Sequence, residues 1–144
     1  MGNSTNRLLW LCLVASLLIY PVLTYLAKLP PNPDAPIQLL FPILAVFALG
    51  EGAGSLLYRR HALVRPIESG ELDPSEPEGM KKAYLPFMIN LVIAGSVGIY
   101  GLVLSFLSGD LFYSIGFTAG ALVLMFLHRP TAADLNPVTP SRML

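Results

Sequence analysis

The sequence predicts an all-α integral membrane protein, a bundle of four transmembrane helices. Of its 144 residues, 54% are hydrophobic and 12% are charged, about half the roughly 25% charge that is typical of a soluble domain. The apolar residues also form long continuous blocks, which favours helices over the alternating strands of a membrane barrel. Because the formal net charge is zero, the basic surface of a nucleic-acid-binding protein is missing.

Four apolar blocks are each near the length of one membrane crossing, since about 20 residues at ~1.5 Å each span the ~30 Å hydrocarbon core. We predict helices at residues 8–27, 37–58, 83–107 and 111–127 of a single domain. The third block, which is the longest, is the one that the other three are expected to pack around.

The first block is preceded by Arg7, as in a signal peptide, but no small-x-small cleavage site follows it. Tyr25 stands two residues before Ala27, and the apolar run exceeds the usual 7–15 residues of a signal sequence. We therefore expect an uncleaved first helix.

The connections predict two helical hairpins. Segment 28–36 carries four prolines and predicts a short, stiff, extended link. Only residues 108–110 separate the third and fourth helices, which must then be antiparallel neighbours. The long segment 59–82 is predicted as a loop, either a solvated connector or a docking surface for a partner. The tail 128–144 is predicted to be irregular.

The distribution of Lys and Arg predicts the orientation, because cytoplasmic loops of membrane proteins are enriched in these residues. With both termini in the cytoplasm, only Lys28 lies outside. The other eight basic residues are then all cytoplasmic: Arg7, Arg59, Arg60, Arg65, Lys81, Lys82, Arg129 and Arg142.

Glycines in three of the blocks predict close helix packing, since small residues let membrane helices approach. Two pairs have GxxxG spacing, and the third block carries further glycines. The predicted packing positions are Gly50, Gly54, Gly95, Gly98, Gly101, Gly116 and Gly120.

Glu51 is the ionisable residue inside an apolar block, and such residues are candidates for function because each costs a few kcal/mol or more in a membrane. It precedes Arg59 by eight residues, and Asn90 follows Lys82 by eight. Ser16 and Thr118 fall at comparable depths. The sequence therefore predicts one intramembrane polar layer with a residue from each helix.

Three interpretations of this layer stay open. In the first, Asn90 and the hydroxyl groups hydrogen-bond a protonated Glu51, and the layer is structural. In the second, Glu51 is a proton- or ion-binding carboxylate. A third alternative places Glu51 against a partner subunit or a lipid headgroup.

Two pentapeptides suggest an internal repeat. Residues 16–20, SLLIY, and residues 96–100, SVGIY, share Ser, Ile and Tyr at a constant offset of 80. Both lie in helices predicted to run from the cytoplasm outward. A duplicated hairpin would explain the match.

The sequence contains no catalytic triad, phosphate loop or HExxH stretch, and we predict no enzyme, no cofactor and no metal site. The single cysteine, Cys12, rules out an internal disulfide and a cysteine-cluster metal site. His61 and His128 lie at the predicted membrane boundary without a second ligand at helical spacing.

Part of the third helix resembles a transmembrane hairpin of the proteolipid (c) subunits of rotary ATPases. The likeness rests on Met80-Lys81, Pro86 and the run GIYGLV at 98–103, about 25 residues in all. Gly95 stands where that family carries its ion-binding carboxylate, so no ion site is transferred. The run 124–130 is similar to small uncharacterised four-helix bacterial membrane proteins, which implies no activity.

The function predicted first is a non-catalytic, multi-pass protein of a bacterial inner membrane, an accessory or assembly subunit of a larger membrane complex. The alternative is a proton- or ion-translocating, proteolipid-like oligomer, or a small transporter, that uses Glu51. The expected partners are the lipid bilayer and either other membrane subunits or further copies of the chain, with no nucleic acid.

Overall fold

The computed structural model describes residues 3–73 and 76–129 and shows no strand among them. The elements, in order, are α1 (Asn3–Ala27), α2 (Ile37–Arg59), a π-helical turn (Arg60–Val64), α3 (Arg65–Glu68), α4 (Pro77–Ser108) and α5 (Leu111–Leu127). The predicted all-α class with four main helices is confirmed.

Three of the helical stretches are long and apolar enough to cross a membrane: Arg7–Ala27, Ile37–Glu68 and Pro77–Ser108. The fourth, α5, has 17 residues and is ~25 Å long at ~1.5 Å per residue. These lengths fit a multi-pass membrane protein.

Segment 59–82 differs from the predicted loop, because it is helical at both ends. The π-helical turn and α3 prolong α2 as far as Glu68, and α4 begins at Pro77 rather than at residue 83. Pro66 lies in the first turn of α3, and Pro77 is the first residue of α4. A proline costs little as the first residue of α4, since its missing N–H would have no helical partner there anyway. Pro66 instead lies within the continuous helical run from α2 to α3, directly after the π-helical turn. Of the predicted tail 128–144, residues 130–144 lie outside the described ranges.

The helix α4 lies at the centre and contacts α1, α2 and α5, as the sequence led us to expect. The helix α1 also packs against α5, whereas α2 packs mainly against α4. The main buried hydrophobic cluster comes from α1, α4 and α5, with the partly buried Ala48 of α2 packed against it, and it consists of Trp10, Leu17, Leu91, Ala94, Val97, Ala121 and Met125. The helix α2 is therefore a peripheral member of the bundle.

The two ends of the bundle are fixed by contacts between distant segments. At one end, which we call the basic end, Trp10 Nε1 of α1 donates to the carbonyl oxygen of Met125 in α5, 2.8 Å away. At the other end, the short-loop end, the Asn32 N–H donates to the Ser108 carbonyl oxygen at 2.9 Å. Thus α1 and α4 run in one direction, and α2 and α5 run in the other.

The glycines predicted for packing differ in how closely neighbouring helices approach them. A Cβ atom on Gly98 would lie 2.8 Å from a Leu17 methyl group and 3.1 Å from the Tyr20 ring, so this glycine lets α1 approach α4. Gly101, which the sequence also predicted for packing, lies still closer to the backbone of α5. The other predicted glycines have no described atom within 4 Å of the Cβ position: Gly50, Gly54, Gly95, Gly116 and Gly120. Any role for them in packing requires contacts beyond the described residues of this chain.

An open apolar groove of about 870 Å³ separates α2 from α5. Its walls come from residues 41–56 of α2 and 112–124 of α5, and Val97 of α4 lies between them. The ring of Phe41 bridges the groove near the short-loop end, with its centroid 5.6 Å from that of Tyr113. Gly116 and Gly120 line the α5 wall.

The close approach of α4 to α5 at Gly101 gives a matched test. In Gly101→Ala the new methyl group would lie 2.5 Å from Phe117 Cβ and 2.7 Å from the Tyr113 carbonyl oxygen. Because backbone atoms cannot rotate aside, we expect a loss of about 1–3 kcal/mol in the free energy of unfolding. Unfolding in mixed micelles, followed by circular dichroism, measures it.

The control is Gly95→Ala, six residues earlier in the same helix, where the methyl group meets open space. Alanine is the better helix former, so this variant should be neutral or stabilised by up to about 1 kcal/mol. Equal destabilisation of both variants would contradict the α4–α5 packing described here.

Candidate functional site

The Glu51 carboxyl group lies half-buried between α2 and α4, where two hydroxyl groups of α4 hold it. Ser96 Oγ is 2.8 Å from Glu51 Oε2, and the Tyr100 hydroxyl donates to Glu51 Oε1 at 2.6 Å. Ser96 and Tyr100 are four residues apart and therefore lie on one face of α4, one turn from each other. Together the three residues form a carboxyl–hydroxyl site.

The number of hydrogens at this site bears on its protonation state. Ser96 Oγ is also 2.6 Å from the Ile93 carbonyl oxygen, yet a serine hydroxyl has only one hydrogen to donate. If Glu51 is ionised, Ser96 can serve one of its two acceptors. If Glu51 carries a proton, its Oε2–H donates to Ser96 Oγ, Ser96 donates to Ile93, and Tyr100 donates to Oε1. All three contacts are then hydrogen bonds at once.

The other members of the predicted polar layer have their own surroundings. Ser16 Oγ donates to the Leu13 carbonyl oxygen at 2.7 Å, and Asn90 Nδ2 donates to the Pro86 carbonyl oxygen at 2.9 Å. Asn90 Oδ1 and Thr118 Oγ1 are buried and have no hydrogen-bond partner among the described residues. The hydrogen bonds predicted between Glu51 and these side chains are thus made by Ser96 and Tyr100 instead.

The level of Asn90 also differs from the prediction. Glu51 lies opposite Ser96 and Tyr100, which follow Asn90 by six and ten residues. At ~1.5 Å per residue, Asn90 is ~9–15 Å nearer the basic end. The sequence argument measured depth from Lys82, but α4 begins at Pro77 and contacts the π-helical turn after α2. The prediction from equal spacing assumed that Lys82 and Arg59 lie at the same level along the bundle axis, and they do not.

A second polar contact joins α2 to α5 at the basic end. His128 Nε2 is 3.0 Å from Ser55 Oγ, and both side chains are buried. The Ser55 hydroxyl donates its hydrogen to the Gly52 carbonyl oxygen at 2.8 Å, so the histidine must be the donor to Ser55. Nε2 then carries the hydrogen, and the buried Nδ1 has no partner among the described residues.

Burial and a nearby positive charge both lower the pKa of His128. Burial lowers the pKa of the imidazole below its ordinary value, because the charged form loses its hydration. The positive charge of Arg59 lowers that pKa further, against a smaller opposing effect of the Leu127 backbone. Both effects favour the neutral form of His128, and so does the buried Nδ1, which has no acceptor among the described residues.

Sequence reasoning found Glu51 but missed its partners. Ser96 and Tyr100 were noticed only as part of the repeated pentapeptide, although their spacing of four residues already placed two hydroxyl groups on one helix face. Their match in α1 has no such role, because Ser16 bonds its own helix and Tyr20 packs at Gly98. No sequence signal connected Ser55 with His128, which are 73 residues apart.

The described part of the chain contains no group of three or more His, Cys, Asp or Glu side chains that could hold a metal ion. Comparison with known proteins finds no matching family model, no matching curated protein and no matching solved structure. Interpretation of the two polar contacts therefore rests on their geometry.

The carboxyl–hydroxyl site should hold α2 against α4. Removal of the phenol hydroxyl in Tyr100→Phe leaves one oxygen of Glu51 without a donor. We expect this variant to lose about 0.5–2 kcal/mol of unfolding free energy, the range for hydrogen bonds between membrane helices. A double-mutant cycle with Glu51→Gln should show that the two effects are coupled.

Tyr25→Phe is the control, because the Tyr25 side chain is largely exposed. It should unfold like the wild type. Strict additivity of Tyr100→Phe and Glu51→Gln would contradict a direct interaction between the two side chains.

Proposed function

We propose that the protein is a multi-pass protein of a bacterial inner membrane that binds and releases a proton at Glu51 and acts in proton translocation as an oligomer. The observation that carries this proposal is the hydrogen count at the carboxyl–hydroxyl site. The three contacts of Glu51 and Ser96 are satisfied together only when the carboxyl group holds a proton.

The same site also tolerates the loss of that proton. When Glu51 is ionised, the Ser96 hydroxyl turns from the Ile93 carbonyl oxygen to Glu51 Oε2, and Tyr100 continues to donate to Oε1. Two donors then face the carboxylate, which lowers the cost of a charge in an apolar layer. The exchange needs one hydroxyl rotation and no movement of a helix. Glu51 is only half-buried, so part of this side chain is left uncovered by the described helices of the chain.

We also propose that both termini face the cytoplasm. Eight of the nine Lys and Arg residues then lie on the cytoplasmic side, in keeping with the enrichment of basic residues there. In this orientation, the basic end of the bundle is the cytoplasmic end.

Proton flux in proteoliposomes tests the role of Glu51. Wild-type protein should carry protons down an imposed gradient, as reported by a pH-sensitive dye in the lumen. Glu51→Gln, which keeps the shape of the side chain but cannot exchange a proton, should reduce the flux to that of empty vesicles. Tyr100→Phe should leave a slower flux, since one donor to the carboxylate is lost.

Glu78→Gln provides the matched control, because Glu78 is exposed in the first turn of α4, far from the apolar layer. It should conduct like the wild type. If wild-type flux never exceeds that of empty vesicles, or if Glu51→Gln conducts normally, the proposal is wrong.

A second candidate function is that of a non-catalytic subunit in a larger membrane assembly. It is favoured by surfaces that the chain does not use itself. Both GxxxG pairs, Gly50 with Gly54 and Gly116 with Gly120, meet open space, and the second pair lines the open groove. Such pairs allow close helix approach in membranes, and here the approaching helix would have to come from another chain.

Native mass spectrometry of protein extracted gently from its own membrane tests this candidate. A heteromeric assembly of fixed composition would support it, and a closed homo-oligomer would favour the Glu51 proposal instead. The double variant Gly116→Val and Gly120→Val should dissociate the assembly. The variant Ala119→Val, on another face of α5, should leave it intact. Repeated recovery of the single chain would contradict an assembly role.

A further inference from the structure

The basic end of the α2–α5 groove is closed by one buried contact. His128, which directly follows α5, reaches across to Ser55 of α2 at 3.0 Å. Their exposed fractions are 1% and 0%, respectively. Toward the short-loop end, the contact between the two helices is between the rings of Phe41, Tyr113 and Phe117.

The helix α2 is held less tightly on its α5 side than on its α4 side. The buried core cluster belongs to α1, α4 and α5, although Ala48 of α2 packs against it and Leu63, in the turn that follows α2, is buried. On the α5 side an open groove of about 870 Å³ separates α2 from its neighbour. A change at the basic end can therefore widen the groove between α2 and α5 locally.

The hydrogen bonds around His128 and Ser55 are compatible with only the neutral state of the histidine. Ser55 gives its hydrogen to Gly52 and accepts the one from Nε2. A second hydrogen on Nδ1 would be buried with no acceptor among the described residues. A buried donor that finds no acceptor costs about 1–3 kcal/mol, and more when it is charged.

We propose that His128 and Ser55 form a pH-sensitive latch that closes the basic end of the groove when the histidine is neutral and opens it on acidification. The protonated imidazole leaves the buried position for water, and the basic end of α2 moves away from α5. This inference does not depend on the role proposed for Glu51.

The charged group that acts on His128 from α2 is Arg59, whose positive charge disfavours a second one beside it. The buried polar side chain of α1 near this end is Trp10, which donates to the Met125 carbonyl oxygen and carries no charge. Arg129, the next residue in the chain, is exposed. The charge of Arg59 therefore makes protonation of the latched histidine less favourable.

The direction of the pH effect follows from these surroundings. Above about pH 6.5, the ordinary value for histidine, His128 is neutral whether latched or released. Below that pH, the released histidine takes up a proton before the latched one does, because the pKa of the latched form is lowered. Each pH unit between the two pKa values shifts the equilibrium up to tenfold toward release.

Distance measurements between spin labels test the latch in the full chain. Labels are placed on cysteines at Leu57 of α2 and Val123 of α5, both exposed, after Cys12→Ala removes the natural cysteine. The protein is held in phosphatidylcholine nanodiscs, whose headgroups do not titrate between pH 5 and 8. We expect a single distance at pH 8 and a longer one that grows as the pH falls below about 6.5.

Two variants separate the latch from a general effect of acid. His128→Gln can donate to Ser55 at every pH, so the distance should stay at its pH 8 value. Ser55→Ala removes the acceptor and should give the longer distance already at pH 8. A control pair at Phe106 of α4 and Ile115 of α5 should not respond to pH in any variant.

A wild-type distance that is the same at pH 5 and pH 8 would overturn the proposal without the need for any variant. An acid response that persists in His128→Gln would assign the change to another group. A Ser55→Ala protein that stays closed at pH 8 would show that the hydrogen bond does not hold the groove shut.

Discussion

A carboxyl group among apolar helices must hold a proton or find hydrogen-bond donors, and the position of α2 depends on how Glu51 meets this requirement. Its donors are the hydroxyl groups of Ser96 and Tyr100, 45 and 49 residues further along the chain. The helix α2 contributes the partly buried Ala48 to the packing around the core cluster but no member of that cluster, so this polar contact helps to set an orientation that hydrophobic packing sets for α1, α4 and α5. The hydrogen bonds of this contact can rearrange by the rotation of one hydroxyl group.

Different residues of α4 determine how each of the other three helices packs against it. Gly98 admits α1 and Gly101 admits α5, while Ser96 and Tyr100 face α2. These four residues lie within two turns of one another. A single helix thus combines close apolar packing on two sides with polar attachment on a third. The peripheral helix is held by hydrogen bonds whose strength depends on protonation, at Glu51 in the middle and at His128 near the basic end.

Hydropathy predicted the fold class and the central position of α4, because apolar blocks of this length and continuity leave few other structures open. Hydropathy could not predict how far each helix is shifted along the bundle axis relative to its neighbours. Equal spacing from Lys82 and Arg59 placed Asn90 beside Glu51, whereas the structure brings Ser96 and Tyr100 there, since α4 extends further toward the basic end. The packing of the Gly50–Gly54 and Gly116–Gly120 pairs could not be predicted either, because a sequence reveals small residues but not which neighbour they face. His128 was assigned to a boundary by its position in the chain, and only the helix register shows it to be buried.

The long separation between Glu51 and its donors has a consequence for biosynthesis. When α2 leaves the ribosome, neither Ser96 nor Tyr100 has yet been made. Until α4 is complete, the Glu51 carboxyl group lacks the two hydroxyl donors that it has in the folded chain. A carboxyl group without donors in apolar surroundings costs a few kcal/mol or more. The order of synthesis therefore makes the docking of α2 wait for a helix from the second half of the chain.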